Sequence, residues 1–330
     1  MKSGRLQLTV ALVLGLLAAG PLGADAQRAQ GPKAATVGFL FGGTRPGDSL
    51  DRFKQTLREK GWIEGQNLMF EYRSAEAHYE RLPALSRELV ARGVDVIVTD
   101  GTPQTRAAMD VTKTVPIVMA SAGDPVASAL VRSLARPGGN VTGVSFFFPE
   151  INVKRLELLK EAAPSIARVA VVYNPLNPAV EPAVVAIEAA AKPLRIGIQR
   201  FAVRAPADLD AVFPVMANQK VDAITVVEDS MIYSQGLRIV EVALKARIPV
   251  VFGSSGFVAA GGFMSYGTNR PGLWHRAALL TDKILRGAKP GDLPIEQPTK
   301  FDLVINLKTA KALGLTIPPS LLLQADQVIE

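Results

Sequence analysis

From Thr36 onward the chain alternates short apolar, β-branched runs with stretches whose apolar residues recur at helical spacing. Thr36–Phe41 reads as a buried strand. The next stretch puts Leu50, Phe53 and Leu57 on one helical face, and Gly61 stops it. A strand around Leu68–Tyr72 follows, then a helix carrying Leu82, Leu85 and Leu89 that ends at Gly93. Val94–Thr99, a helix after Pro103, Ile117–Ala120, a helix after Pro125 and Val141–Ser145 complete the first half. Near-continuous apolar strands alternating with helices predict an α/β fold, with a parallel sheet covered on both faces.

The pattern then restarts. Val169–Tyr173 resembles Val37–Phe41, displaced by 132 positions. Val221-Asp222-Ala223-Ile224 resembles Val94-Asp95-Val96-Ile97, and Ile248-Pro249-Val250-Val251 resembles Val115-Pro116-Ile117-Val118. Each match alone is weak, because Val-Asp and Ile-Pro are common at strand starts. Three matches in the same order predict two similar doubly wound lobes. In such open sheets ligands bind beyond the carboxyl ends of the strands, where helix N-termini present unpaired N–H groups. The repeat therefore points to Phe41-Gly42-Gly43-Thr44, Gly101-Thr102-Pro103 and Ser121 through Pro125 in the first lobe, with Asp100 at the end of the preceding strand. In the second it points to Asn174-Pro175, Glu228-Asp229-Ser230 and Gly253-Ser254-Ser255.

The first 26 residues read differently. Lys2 and Arg5 precede an apolar run from Leu6 to Ala19, and Ala24-Asp25-Ala26 offers small residues for cleavage after Ala26. That is the pattern of a secretory signal peptide, and the run is short for a membrane span. Residues 27–35 are expected to be a flexible mature N-terminus. The remaining chain, about 300 residues, exceeds the usual size of one core, in keeping with two lobes. With no cysteine there is no lipoprotein anchor, disulfide or thiol chemistry. The formal charge of +7 suggests nucleic acid at first sight, but Lys and Arg are scattered among acids, as in Arg58-Glu59-Lys60, so no nucleic-acid partner is expected.

Several stretches carry a family resemblance. They are Arg81-Leu82-Pro83, Gly123-Asp124-Pro125-Val126, Leu134-Ala135-Arg136-Pro137-Gly138-Gly139-Asn140-Val141-Thr142-Gly143 and Lys154-Arg155-Leu156-Glu157-Leu158-Leu159-Lys160. Gly261-Gly262-Phe263-Met264-Ser265-Tyr266-Gly267, Gln297-Pro298-Thr299-Lys300-Phe301 and Ile305-Asn306-Leu307-Lys308-Thr309-Ala310 belong with them. Together they resemble the ABC-transporter substrate-binding proteins of the tryptophan/tyrosine transport type, over essentially the whole mature chain. The resemblance implies a type I periplasmic-binding-protein fold, a periplasmic address and an inner-membrane ABC permease as partner. It implies an amino acid or other small organic ligand only loosely. It also implies three crossings between lobes, near Pro149–Lys154, Tyr266–Pro271 and Pro290–Lys300. Lobe one is then 36–148 plus 270–290, and lobe two is 149–269 plus 291–330. The protein is expected to act as a monomer without a cofactor.

Within the named loops each residue has a plain structural reading beside the functional one. Gly42 and Gly43 allow close ligand approach or form a simple tight turn. Thr102 and Ser121 can donate to a ligand carboxylate or cap helices. Asp124 can pair with an amine or cap, and Asp100 is a further polar contact. Glu228 and Asp229 are the acceptors expected for an α-amino group. Phe41 and Tyr173, at matching repeat positions, can sandwich an apolar ligand part or pack inside their lobes. Trp62 and Trp274 read as packing residues. His78 and His275, the two histidines, have no metal-ligand spacing, and no GxGxxG follows the first strand. An exported two-lobed enzyme and a ligand-sensing module for a membrane receptor remain as alternatives, the first disfavoured by the absent phosphate loop.

Overall fold

The computed structural model describes residues 34–145 and 149–330. The leader read at residues 1–26, and residues 27–33 of the segment expected to be flexible, lie outside the described residues; Ala35 already belongs to a strand. Strands β1 (Ala35–Phe41), β2 (Leu68–Ser74), β3 (Val96–Thr99), β4 (Ile117–Ala122) and β5 (Val141–Ser145) form a parallel sheet in the order β2-β1-β3-β4-β5. Helices α1 (Gly47–Glu59), α2 (Leu82–Ala91) and α3 (Thr102–Val111) connect them. The apolar spacing explains these helices: α1 buries Leu50, Phe53 and Leu57, and α2 buries Leu82, Leu85 and Leu89.

After α4 (Pro149–Ala162) the arrangement repeats. Strands β6 (Arg168–Tyr173), β7 (Gly197–Ala202), β8 (Ala223–Val226), β9 (Val250–Phe252) and β10 (Met264–Gly267) alternate with α5 (Glu181–Ala191), α6 (Asp208–Asn218), α7 (Ser230–Ser234), α8 (Gly236–Ala246) and α9 (Ser255–Ala259). Their order, β7-β6-β8-β9-β10, copies that of the first sheet. Then α10 (Arg270–Leu285) leaves the second sheet and packs on α1, β4 and β5. Its Trp274 lies against Phe39, Phe41 and Phe53, with ring centroids 6.1–6.3 Å away. The chain next returns to the second sheet through β11 (Asp302–Asn306), α11 (Leu307–Ala312), α12 (Pro319–Leu322) and β12 (Gln327–Ile329). On the way Glu296 bridges to Val144 beside β5.

Two sequence expectations need correction. The second sheet is not wholly parallel: β11 runs antiparallel to β10. Because α10 sits on the first lobe, the chain re-enters the second sheet from the end at which β10 left it, and must run the other way. Nor does a helix follow Pro125. The Asp124 carboxylate accepts from the N–H of Val126 and Ala127, Ala129 stands at φ 51°, and the segment closes as turns. One apolar cluster crosses from lobe to lobe, joining Ala75, Ala77 and Tyr79 of the first to Met231 and Ile232 of the second. Among the described residues no helix is long and apolar enough to cross a membrane.

Candidate functional site

The carboxyl ends of β1, β3, β4, β6, β8 and β9 deliver the loops named above to the junction between the lobes, where the two lobes touch. The Ser230 hydroxyl, on the second lobe, donates to the main-chain oxygen of Asp100 (3.0 Å), which also accepts from Ser121 (2.9 Å). The Tyr79 hydroxyl, on the first lobe, donates to Asp229 (2.7 Å) and accepts from the Met231 N–H (3.1 Å). Glycine permits this approach: a Cβ at Gly43 would stand 2.5 Å from the Ser230 carbonyl, and one at Gly42 would run into Gln104. Gly101, the cap of α3, faces the Ser230 hydroxyl.

Three carboxyls and two guanidiniums are gathered here. Asp100 accepts from the Gly42 N–H (3.0 Å). Glu228 accepts from the Gly253 N–H (2.8 Å). Asp229 caps α7 through the Ile232 N–H (2.9 Å), and its other oxygen takes Asn174 (2.7 Å) as well as Tyr79. Burial pushes all three carboxyls above the ordinary carboxylate range, Asp100 to about 6, and pushes the Tyr79 hydroxyl up as well. Arg155, buried midway along α4, donates to the carbonyls of Tyr266 (2.7 Å) and Val226 (3.5 Å) and to Asn152 (2.9 Å). Its guanidinium approaches Glu228 across Gly253. Desolvation lowers its pKa, and the Glu228 charge opposes that. Arg270, the first residue of α10, lies over the Tyr233 ring, 3.9 Å from its centroid.

Three adjoining cavities follow the junction. The two inner ones are narrow, about 10 and 20 Å³; Asp100, Thr102, Ser121, Glu228 and Ser230 line the first, and Arg155, Glu228, Gly253 and Ser254 the second. Arg270 is shared with an outer cleft of about 470 Å³, bounded by Thr44 and its neighbours, Tyr233, Ser254 and Phe257. That volume falls in the range of small-molecule sites. Neither inner cavity has room for an amino acid at these volumes.

Not every named residue arrives at this junction. Phe41 is fully buried inside the first lobe, stacked on Phe39 at 5.7 Å and facing Trp274. Residues two apart on a strand share a face, and this face is covered by α1 and α10, so Phe41 does not line the cleft. Tyr173 packs against the apolar cluster of the second lobe, so the two rings form no sandwich. Asp124 lines a separate surface pocket with Pro149 and Pro178. Thr102 is the first residue of α3 rather than its cap, and its hydroxyl accepts from the Gly123 N–H (3.0 Å). Sequence reasoning does not single out Tyr79, Gln104 or Arg270, and it meets Arg155 only within a family-like stretch. The signal for Arg270 was its place at the second crossing; Tyr79 comes from a turn after β2 that no strand-end rule selects.

A family model described as ABC transporter substrate binding protein matches residues 47–329. The curated tyrosine-binding protein of Clostridioides difficile, strain R20291, is 28% identical over 271 residues, covering 81% of this chain and 78% of that protein. An ABC domain from Streptococcus pneumonia, solved in complex with L-Trp, is 31% identical and superposes with a TM-score of 0.81, over 90% of this chain and 100% of that one. The ligand-free, open structure of a substrate-binding protein with adhesive properties from Clostridium difficile is 26% identical, with a TM-score of 0.61 over 90% of this chain and 99% of that one. The two-lobed architecture is that of the type I periplasmic binding proteins.

Proposed function

The chain belongs to the ABC transporter substrate-binding protein family, and from that premise we propose that it captures an aromatic amino acid, tyrosine or tryptophan, between its lobes and delivers it to a membrane permease. The lobes in this reading are 36–148 plus 270–290 and 149–269 plus 291–330. Residues 1–26 serve as the export signal to the periplasm. The observation that carries the reading is the set of buried charged groups at the lobe junction. Asp100 and Glu228 are acceptors for an ammonium, and guanidinium groups stand beside them for a carboxylate. A zwitterion neutralises such a set without leaving a buried charge unpaired. The relatives that bind tyrosine and L-Trp support an aromatic side chain, and the outer cleft has the volume for one.

The test is thermal shift followed by calorimetry on the mature protein with the twenty amino acids. L-tyrosine or L-tryptophan is expected to raise Tm by several degrees and to bind with one-to-one stoichiometry. A ligand present at 100 times its Kd stabilises by about 2.7 kcal/mol, well within reach of that measurement. A flat response to both aromatic amino acids, with a clear response to another class, overturns the ligand assignment.

A further inference from the structure

We propose that Arg270 receives the ligand's carboxylate and thereby restricts the cleft to ligands that carry one; this rests on the reading of the junction as the ligand site. Arg270 is the one residue, among those described, that lines both inner cavities and the outer cleft. It begins α10 at the second crossing and reaches over Tyr233 of the other lobe. A carboxylate in the outer cleft or in either inner cavity therefore lies against it.

Arg270 is also available. Among the described residues it makes no hydrogen bond and no ion pair within 4 Å, and its Nε is buried without a partner. A buried N–H without an acceptor is destabilising. A guanidinium offers five donors in a planar fork that matches a carboxylate. Of the other donors expected to hold that carboxylate, the Ser121 hydroxyl already donates to Asp100, while the Thr102 hydroxyl accepts from the Gly123 N–H and keeps a single neutral O–H to give. Arg155 is occupied by two carbonyls and Asn152.

Charge balance points the same way. Asp100, Glu228 and Asp229 outnumber Arg155 and Arg270, so an added ammonium is favoured on the acidic side. An added carboxylate is tolerated only against a cation, and Arg270 is the cation whose donors are free. Its guanidinium, 3.9 Å from the centre of the Tyr233 ring, is held at the cleft by that cation–π contact rather than by a hydrogen bond, so its donors stay available to a carboxylate.

Calorimetry on the full mature protein tests this with two ligand pairs: L-tyrosine against L-tyrosinamide, and L-tryptophan against L-tryptophanamide. Each amide keeps the ring and the ammonium and neutralises the carboxylate. Wild type is expected to favour the acid over its amide by about 30-fold or more, the scale of a broken interfacial charge pair. Arg270→Gln is expected to lose that preference, with affinity for the amide within about threefold of wild type. Arg270→Lys is expected to keep part of it, since charge remains and the fork does not. Equal affinity of wild type for acid and amide overturns the proposal without any variant. So does an Arg270→Gln protein that weakens acid and amide alike, since that is the mark of a residue acting only on lobe closure. If wild type binds neither acid, the aromatic amino-acid reading fails and takes this inference with it. Binding of the acids with no acid-over-amide preference leaves that reading standing and removes Arg270 alone.

Discussion

Asp100 is the residue at which local chemistry and lobe contact meet. Its carbonyl holds Ser121 of its own lobe and Ser230 of the other, while its carboxyl accepts from Gly42. Burial raises that carboxyl to about 6 against the Arg270 charge and the Gly42 N–H, both of which lower it; Asp229 adds to the rise, and the Tyr79 hydroxyl also faces it. The raised value means that the folded protein holds this proton more tightly than the unfolded chain does. No cost arises below the unfolded pKa near 4, and the full cost is present above about 6. Two pKa units correspond to about 3 kcal/mol. Between pH 4 and 7, wild type should therefore lose about 3 kcal/mol more stability than Asp100→Asn in urea unfolding without ligand. Parallel pH profiles would remove Asp100 from this role. Glu228 and Asp229 are shifted in the same direction and add slope to both profiles. The sequence placed Asp100, Glu228 and Asp229 at strand ends because strand ends are visible in apolar periodicity. It did not reveal that Asp229 is taken by Tyr79 and Asn174. Hydrogen-bond partners 55 to 150 residues apart leave no local pattern.

At the level of elements, strands were the most legible part, since their buried runs are nearly unbroken. The repeat was legible too, and the shared strand order explains it. What escaped was the direction of β11, which depends on the route through α10 rather than on its own residues. The segment after Pro125 also escaped, because its backbone is fixed by an Asx turn and not by periodicity. The β4–β5 pairing contains a further local requirement. Its register shifts between Met119 and Ala122, and Gly143 opposite stands at φ +143°. A Cβ there would lie 2.3–2.7 Å from the Met119 backbone, which cannot yield as a side-chain tip can. Gly143→Ala should cost about 3 kcal/mol through combined strain and overlap, measured as a lower urea midpoint at unchanged m. A loss below about 0.5 kcal/mol, the range of ordinary surface changes, would show that the sheet edge relaxes freely.

For the whole molecule the balance between open and closed lobes is the central quantity. At similar identity the chain superposes on the L-Trp complex with a TM-score of 0.81 and on the ligand-free, open relative with 0.61. Together with the direct lobe-to-lobe hydrogen bonds, the two values place the chain nearer the L-Trp complex than the open relative. Tyr79 is a cross-lobe tie that leaves the charged cavity groups in place when its hydroxyl is removed. Losing a buried hydrogen bond to a carboxylate costs about 1.5–3 kcal/mol, a shift of about 10- to 150-fold in the closed population. Scattering from unliganded Tyr79→Phe should give a larger radius of gyration than wild type, and saturating ligand should bring the two together. Identical radii without ligand would show that Tyr79 does not govern closure. The three crossings carry a different implication, for the order in which the protein is made. Trp274, which fills the first-lobe core, emerges from the ribosome after every strand from β6 to β10, while β11 and β12 come later still. Neither lobe is complete when the other begins. The two halves must therefore mature as one interdependent unit, and neither can be obtained by simply cutting the gene in two.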